Sequence, residues 1–206
     1  MVVNEKNRKA VFAKLAIKEG LESKHPKFVK VMKEAVLETE PKELDKIRII
    51  TLKNQKKGNP VGEISYPYKK VKGYDISINR NNQNVKSFPI VYKHETDHLY
   101  FAELLKKDPQ LINEYAVLAI EIIPFNEKLS DRLSALKKIK NPKKLKIELM
   151  IYVDEFHSET AEAKRRIDSG LDKFNQDKFT RDNLQKAIEL YNGLHDEMVL
   201  TNLPKR

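Results

Sequence analysis

Ser87-Phe88-Pro89-Ile90-Val91-Tyr92-Lys93-His94-Glu95-Thr96-Asp97-His98-Leu99 is the stretch on which the reading of this chain turns. Ser87 is a candidate N-cap with Pro89 in the first turn. Ile90, Val91, His94, Glu95, His98, Leu99, Ala102 and Leu105 recur at helical spacing until Asp108-Pro109 interrupts them. The pattern predicts a helix over 86–107 with His94 and His98 on one face. Just before it, Tyr74-Asp75-Ile76-Ser77-Ile78-Asn79 alternates strictly between apolar and polar residues, the period of a half-exposed strand.

Working back from this pair, Val61 to Tyr66 alternates loosely and Ile47-Arg48-Ile49-Ile50-Thr51-Leu52 is short and β-branched. Turn-rich pieces, Asn54 to Pro60 and Tyr66 to Gly73, separate the three candidate strands, so hairpin connections are the simplest assembly. Earlier still, Asn4 to Leu21 and the stretch after Pro26 carry apolar residues at helical spacing. Working forward, helices are predicted over Leu111 to Ile123, around Leu129 to Ile139, over Leu145 to Ile167, and over Thr180 to Leu200. The plan is α+β, mainly helical, with a small antiparallel or mixed sheet before the motif helix. It reads as one domain over 1–206: N-terminal helices in 1–45, the sheet in 46–80, the motif helix in 86–107 and C-terminal helices in 110–206.

Composition narrows the chemistry. The 206 residues are 40% hydrophobic and 34% charged, enough apolar material for a core under a charged surface. No run approaches the roughly 20 apolar residues that span a bilayer, and Met1 to Lys6 lacks a signal peptide's apolar segment. A cytoplasmic protein with no membrane association is expected. Absence of Cys removes disulfides, thiolate zinc sites and cysteine nucleophiles together, so any metal must be held by His and carboxylate. The net charge of +10 is uneven: residues 1–93 hold 21 Lys/Arg against 10 Asp/Glu, and 94–206 hold 19 against 20. Such a basic surplus can attract nucleic acid, yet neither zinc-finger spacing nor an aromatic-rich RNA signature accompanies it.

His94-Glu95-Thr96-Asp97-His98 is a His-Glu-x-x-His motif. Residues four apart on a helix point nearly the same way, with Cβ atoms about 6 Å apart, so two imidazoles can reach one ion. The residue after the first His lies on the flank of that face, where its carboxylate can touch a metal-bound water without ligating the metal. The pattern therefore predicts zinc at His94 and His98 and a general base at Glu95.

In these residues and their setting after a strand, roughly positions 72 to 170, the chain resembles the zincin class of zinc metallopeptidases. Phe101 and Leu104 stand where the metzincin subclass carries Gly and His, so the resemblance is to the gluzincin type, in which a Glu from a later helix completes the site. It implies Glu155 as third ligand, with Glu159 four residues on orienting a ligating imidazole. Glu159 itself, or His157, is the alternative ligand. Asp97 departs from the class, which has an uncharged residue there. A transition-state stabiliser, usually His or Tyr, finds candidates in His195 and Tyr191. The resemblance implies cleavage of peptides or unfolded proteins, with Tyr74 to Asn79 as an edge strand rimming the cleft. The competing reading is a zincin-fold protein with little or no catalysis that binds a protein or nucleic acid through its basic first half.

Overall fold

The computed structural model describes residues 5–54, 62–65, 73–80, 84–171 and 178–201. They form two units, Met1–Leu99 and Tyr100–Arg206. The turn-rich stretches expected around 55–60 and 66–72 lie outside the described residues.

In the first unit the helix expected over Asn4 to Leu21 is divided. Helix α1 (Glu5–Phe12) stops and Leu15–Ile17 becomes strand β1. Leu15, Ala16 and Ile17 pair in parallel with Ile50, Thr51 and Leu52, so a tertiary ladder overrides the local helical spacing. The Lys14 ammonium secures the junction by donating to the backbone carbonyls of Leu44 and Ile47 at 2.5 and 2.8 Å. After α2 (Leu21–Lys24), α3 (Pro26–Leu37) buries Phe28, Val29, Met32, Ala35 and Val36, a stripe at helical spacing. Short α4 (Pro41–Leu44) then leads into the sheet.

Strands β2 (Ile47–Asn54), β3 (Gly62–Ser65) and β4 (Tyr74–Arg80) complete a four-stranded mixed sheet in the order β1-β2-β4-β3. β1, β2 and β4 run parallel, and β3 runs antiparallel to β4. This corrects two expectations. The connections are not all hairpins, since β2 and β4 pair in parallel. More important for function, Tyr74 to Asn79 is not an edge strand: β4 lies between β2 and β3. The strict alternation had suggested a half-exposed edge, but β2 pairs along one side of β4, and its Arg48 reaches across and grips both carboxylate oxygens of Asp75. Among the described residues the edge beside β4 belongs to β3. One apolar core joins α3, β2 and β4 to Phe88, Val91, Tyr92 and Leu99 of α5 (Phe88–Lys107).

Helix α5 carries the chain into the second unit, which is otherwise α6 (Pro109–Glu121), α7 (Glu127–Leu136), α8 (Pro142–Asp168) and α9 (Lys178–Thr201). Asp108, Asn126 and Asn141 accept from backbone N–H groups in the first turns of α6, α7 and α8, and each such cap contributes about 1 kcal/mol. These caps, two of them followed by Pro, start the helices two or three residues ahead of their apolar periodicity. α8 packs against α6, α7 and α9. Its Tyr152, Val153 and Phe156 are buried with Phe101 and Leu104 from the end of α5, Tyr115 of α6, and Leu184 and Leu194 of α9. The whole is the expected mainly helical α+β arrangement. Among the described residues no helix is long and apolar enough to cross a membrane.

Candidate metal centre

The motif sits in the middle of α5, which the apolar face of Phe88, Val91, Tyr92 and Leu99 fixes against the sheet side of the first unit. His94, Glu95 and His98 are 5, 5 and 6% exposed. Solvated surface histidines would not be buried in this way, since taking imidazole and carboxylate out of water costs free energy unless partners compensate. The His94 and His98 rings meet edge to face with centroids 5.0 Å apart. Thr96 turns its hydroxyl back onto its own helix, donating to the Lys93 carbonyl at 2.9 Å.

Asp97, the charged residue that departs from the resemblance, lies on the flank shared with Lys93 and with Glu43 of α4. Burial raises the Glu43 carboxyl above its usual range, Lys93 opposes the rise and Asp97 adds to it. Asp97 thus belongs to a small electrostatic group with an acid and a base, and is half-buried rather than solvated.

Glu95 is held from the opposite side by a residue that periodicity alone did not single out. A side chain at Gly62 of β3 would bring its Cβ within 2.3 Å of Glu95 Oε1 and 2.7 Å of Val91 Cγ1. The edge strand therefore runs against the carboxylate of the motif. The available signal was a glycine inside a short alternating segment, which often marks a close approach of the backbone.

The acids of α8 lie in the second unit and are engaged there by α7. Glu155, its side chain 14% exposed, takes the Arg132 guanidinium on Oε1 at 2.9 Å and the Lys128 ammonium on Oε2 at 2.7 Å. Glu159 takes Lys128 on Oε1 at 2.7 Å and the Asn126 amide on Oε2 at 3.0 Å. Burial pulls the Lys128 ammonium down, but Glu159 and Glu155 outweigh it and its pKa is raised. Two cations four residues apart on α7 thus meet two carboxylates four residues apart on α8, a matched spacing visible in the sequence once both helices are drawn.

The remaining candidates form an aromatic group in the same unit. His157 is fully buried, and its Nε2 lies 3.3 Å from Nε2 of His195. The Tyr100 ring stacks on His195 at 5.0 Å and 7°, and the Tyr191 ring lies 4.2 Å from His195 and 5.0 Å from His157. Burial lowers the pKa of His195, with Asp196 opposing.

No protein family, curated protein or solved structure matches the chain. What the site can do follows from its own donors: two buried imidazoles on one helix face and a buried carboxylate on the flank.

Proposed function

We propose that the protein is a zinc-dependent hydrolase of the zincin type that cleaves peptide bonds, with His94, His98 and Glu155 as metal ligands and Glu95 as general base. The observation that carries this reading is the burial of His94, Glu95 and His98 together on α5, with the edge strand β3 against Glu95. Two imidazoles and one carboxylate form a common donor set for catalytic zinc and leave a position for water.

Among the acids and histidines of α8, Glu155 is taken as the third ligand because Glu159 follows it at the gluzincin spacing, while His157 directs its Nε2 at His195. Both carboxylates are engaged, Glu159 by Asn126 and Lys128 and Glu155 by Lys128 and Arg132, so an ion would displace Lys128 or Arg132 from an oxygen of Glu155. Glu159 then acts on the centre through Lys128, which it shares with Glu155. Bound zinc would polarise the scissile carbonyl and lower the pKa of its water to about 7. Glu95 would serve as the base, taking a proton from the attacking water and passing it to the leaving amine. Its burial against Gly62 keeps bulk water from competing for the carboxylate. The substrate class follows from β3, an edge strand among the described residues: an extended peptide can add to it as a further strand, a mode that reads backbone more than side chains.

Metal analysis of the purified protein tests the reading. Near one zinc per chain is expected, with loss of zinc in His94→Ala, because one imidazole and one carboxylate hold the ion poorly at neutral pH. Wild-type protein that takes up no zinc on loading would end the proposal. It would favour the other reading, a binding protein acting through its basic first 93 residues.

A further inference from the structure

Glycine is used in this chain for two different reasons. Gly20, Gly73 and Gly170 have positive φ, a backbone conformation that side chains disfavour. Gly62 does not, so its backbone could carry any residue and its requirement is one of space.

The space is specific. In β3, Gly62 and Ile64 fall on the same face, and Ile64 packs onto the core of the first unit. A strand with that alternation would ordinarily place an apolar side chain at position 62, opposite Ile78 of β4. Here the volume of that side chain is occupied from across the gap by α5. A Cβ would lie 2.3 Å from Glu95 Oε1 and 3.0 Å from Glu95 Cδ, with Val91 Cγ1 at 2.7 Å. Val91 and Glu95 are one helical turn apart, so both sides of the slot come from the same face of α5. The carboxylate is walled by its own helix and by the β3 backbone, and a flexible side chain has been given one aim in advance.

We infer that Gly62 is a positioning residue for Glu95: by lacking a side chain it lets the edge strand hold the base in its working orientation. The inference rests on the catalytic reading above and extends it to β3. The same contact registers a peptide laid along β3 against the base, since one strand segment serves both. A displacement of about 1 Å in such a group can cost about 100-fold in rate.

Two readouts test it. In metal-free protein, Gly62→Ala is expected to lower Tm, and Glu95→Ala is expected to restore about 2 to 4 °C of that loss, because the added methyl then has room. Equal losses in both backgrounds would overturn the contact. In zinc-loaded protein, Gly62→Ala should lower kcat about 10- to 100-fold while KM changes less than about threefold and zinc affinity is kept. In a Glu95→Asp background, whose carboxylate is drawn back by one methylene, the same substitution should cost little further. Unchanged kcat, or additive losses in the double variant, would overturn the positioning role. Should Gly62→Ala fail to fold, the comparison is repeated in Val91→Ala, which removes the 2.7 Å collision. Wild-type protein that binds zinc and hydrolyses nothing would defeat the catalytic reading and the positioning role with it, while the metal-free Tm comparison would still decide whether Gly62 holds Glu95.

Discussion

Lys128 of α7 binds Glu155 of α8 at 2.7 Å while holding Glu159 at the same distance, so one ammonium fixes the spacing of two carboxylates a helical turn apart. Arg132 takes the other oxygen of Glu155. A carboxylate clamped in this way has a fixed orientation, which under the proposed function would reduce the ordering that metal binding must supply.

The two acids of this clamp are expected to differ. Glu155→Ala should lower zinc affinity far more than Glu159→Ala, for which loss of an indirect support suggests about 10- to 100-fold. Competition against a chelator of known affinity measures both. A larger loss in Glu159→Ala would exchange their roles.

Stability should depend on pH through His195. Burial lowers its pKa in the folded protein below the unfolded value of about 6.5. Its contribution is therefore complete above about pH 6.5 and is lost as pH falls through the lowered folded value, where the unfolded chain takes up the proton first. Tm should fall between pH 7 and pH 5, and His195→Phe should flatten part of that slope. An identical slope in the variant would show that the pair with His157 does not report on folding.

Substrate choice should follow β3. Because pairing along an edge strand needs an extended backbone, one protein offered folded and unfolded should be cut only when unfolded, at sites of varied sequence. Gel analysis of the two digests decides it. Efficient cleavage of the folded form at a single site would exclude strand addition as the mode of binding.

Much of this molecule was legible in its sequence because its apolar residues keep a clear period. His94, Glu95 and His98 were placed on the inward face of α5 by the rows of Ile90, Val91 and Leu99, and the later helices by similar rows. What periodicity could not supply was pairing. Leu15 to Ile17 fits a helix or a strand equally, and only Ile50 to Leu52, more than thirty residues away, selects the strand. Strict alternation in Tyr74 to Asn79 spoke for a strand but not for its position, and Arg48 supplies the charge partner that lets Asp75 lie between neighbours. Gly62 and the Lys128 and Arg132 clamp escaped for the same reason: each matters through a residue from another element.

The claim that Glu95 serves as a base and not as a ligand is the centre of the account, and Glu95→Gln tests it most directly. Zinc content and hydrolysis of an unfolded protein should be measured side by side on wild type and variant. The account predicts about one zinc per chain in both and a loss of rate of about a hundredfold to ten-thousandfold in Glu95→Gln. A variant that keeps its zinc and cleaves as fast as wild type would contradict it.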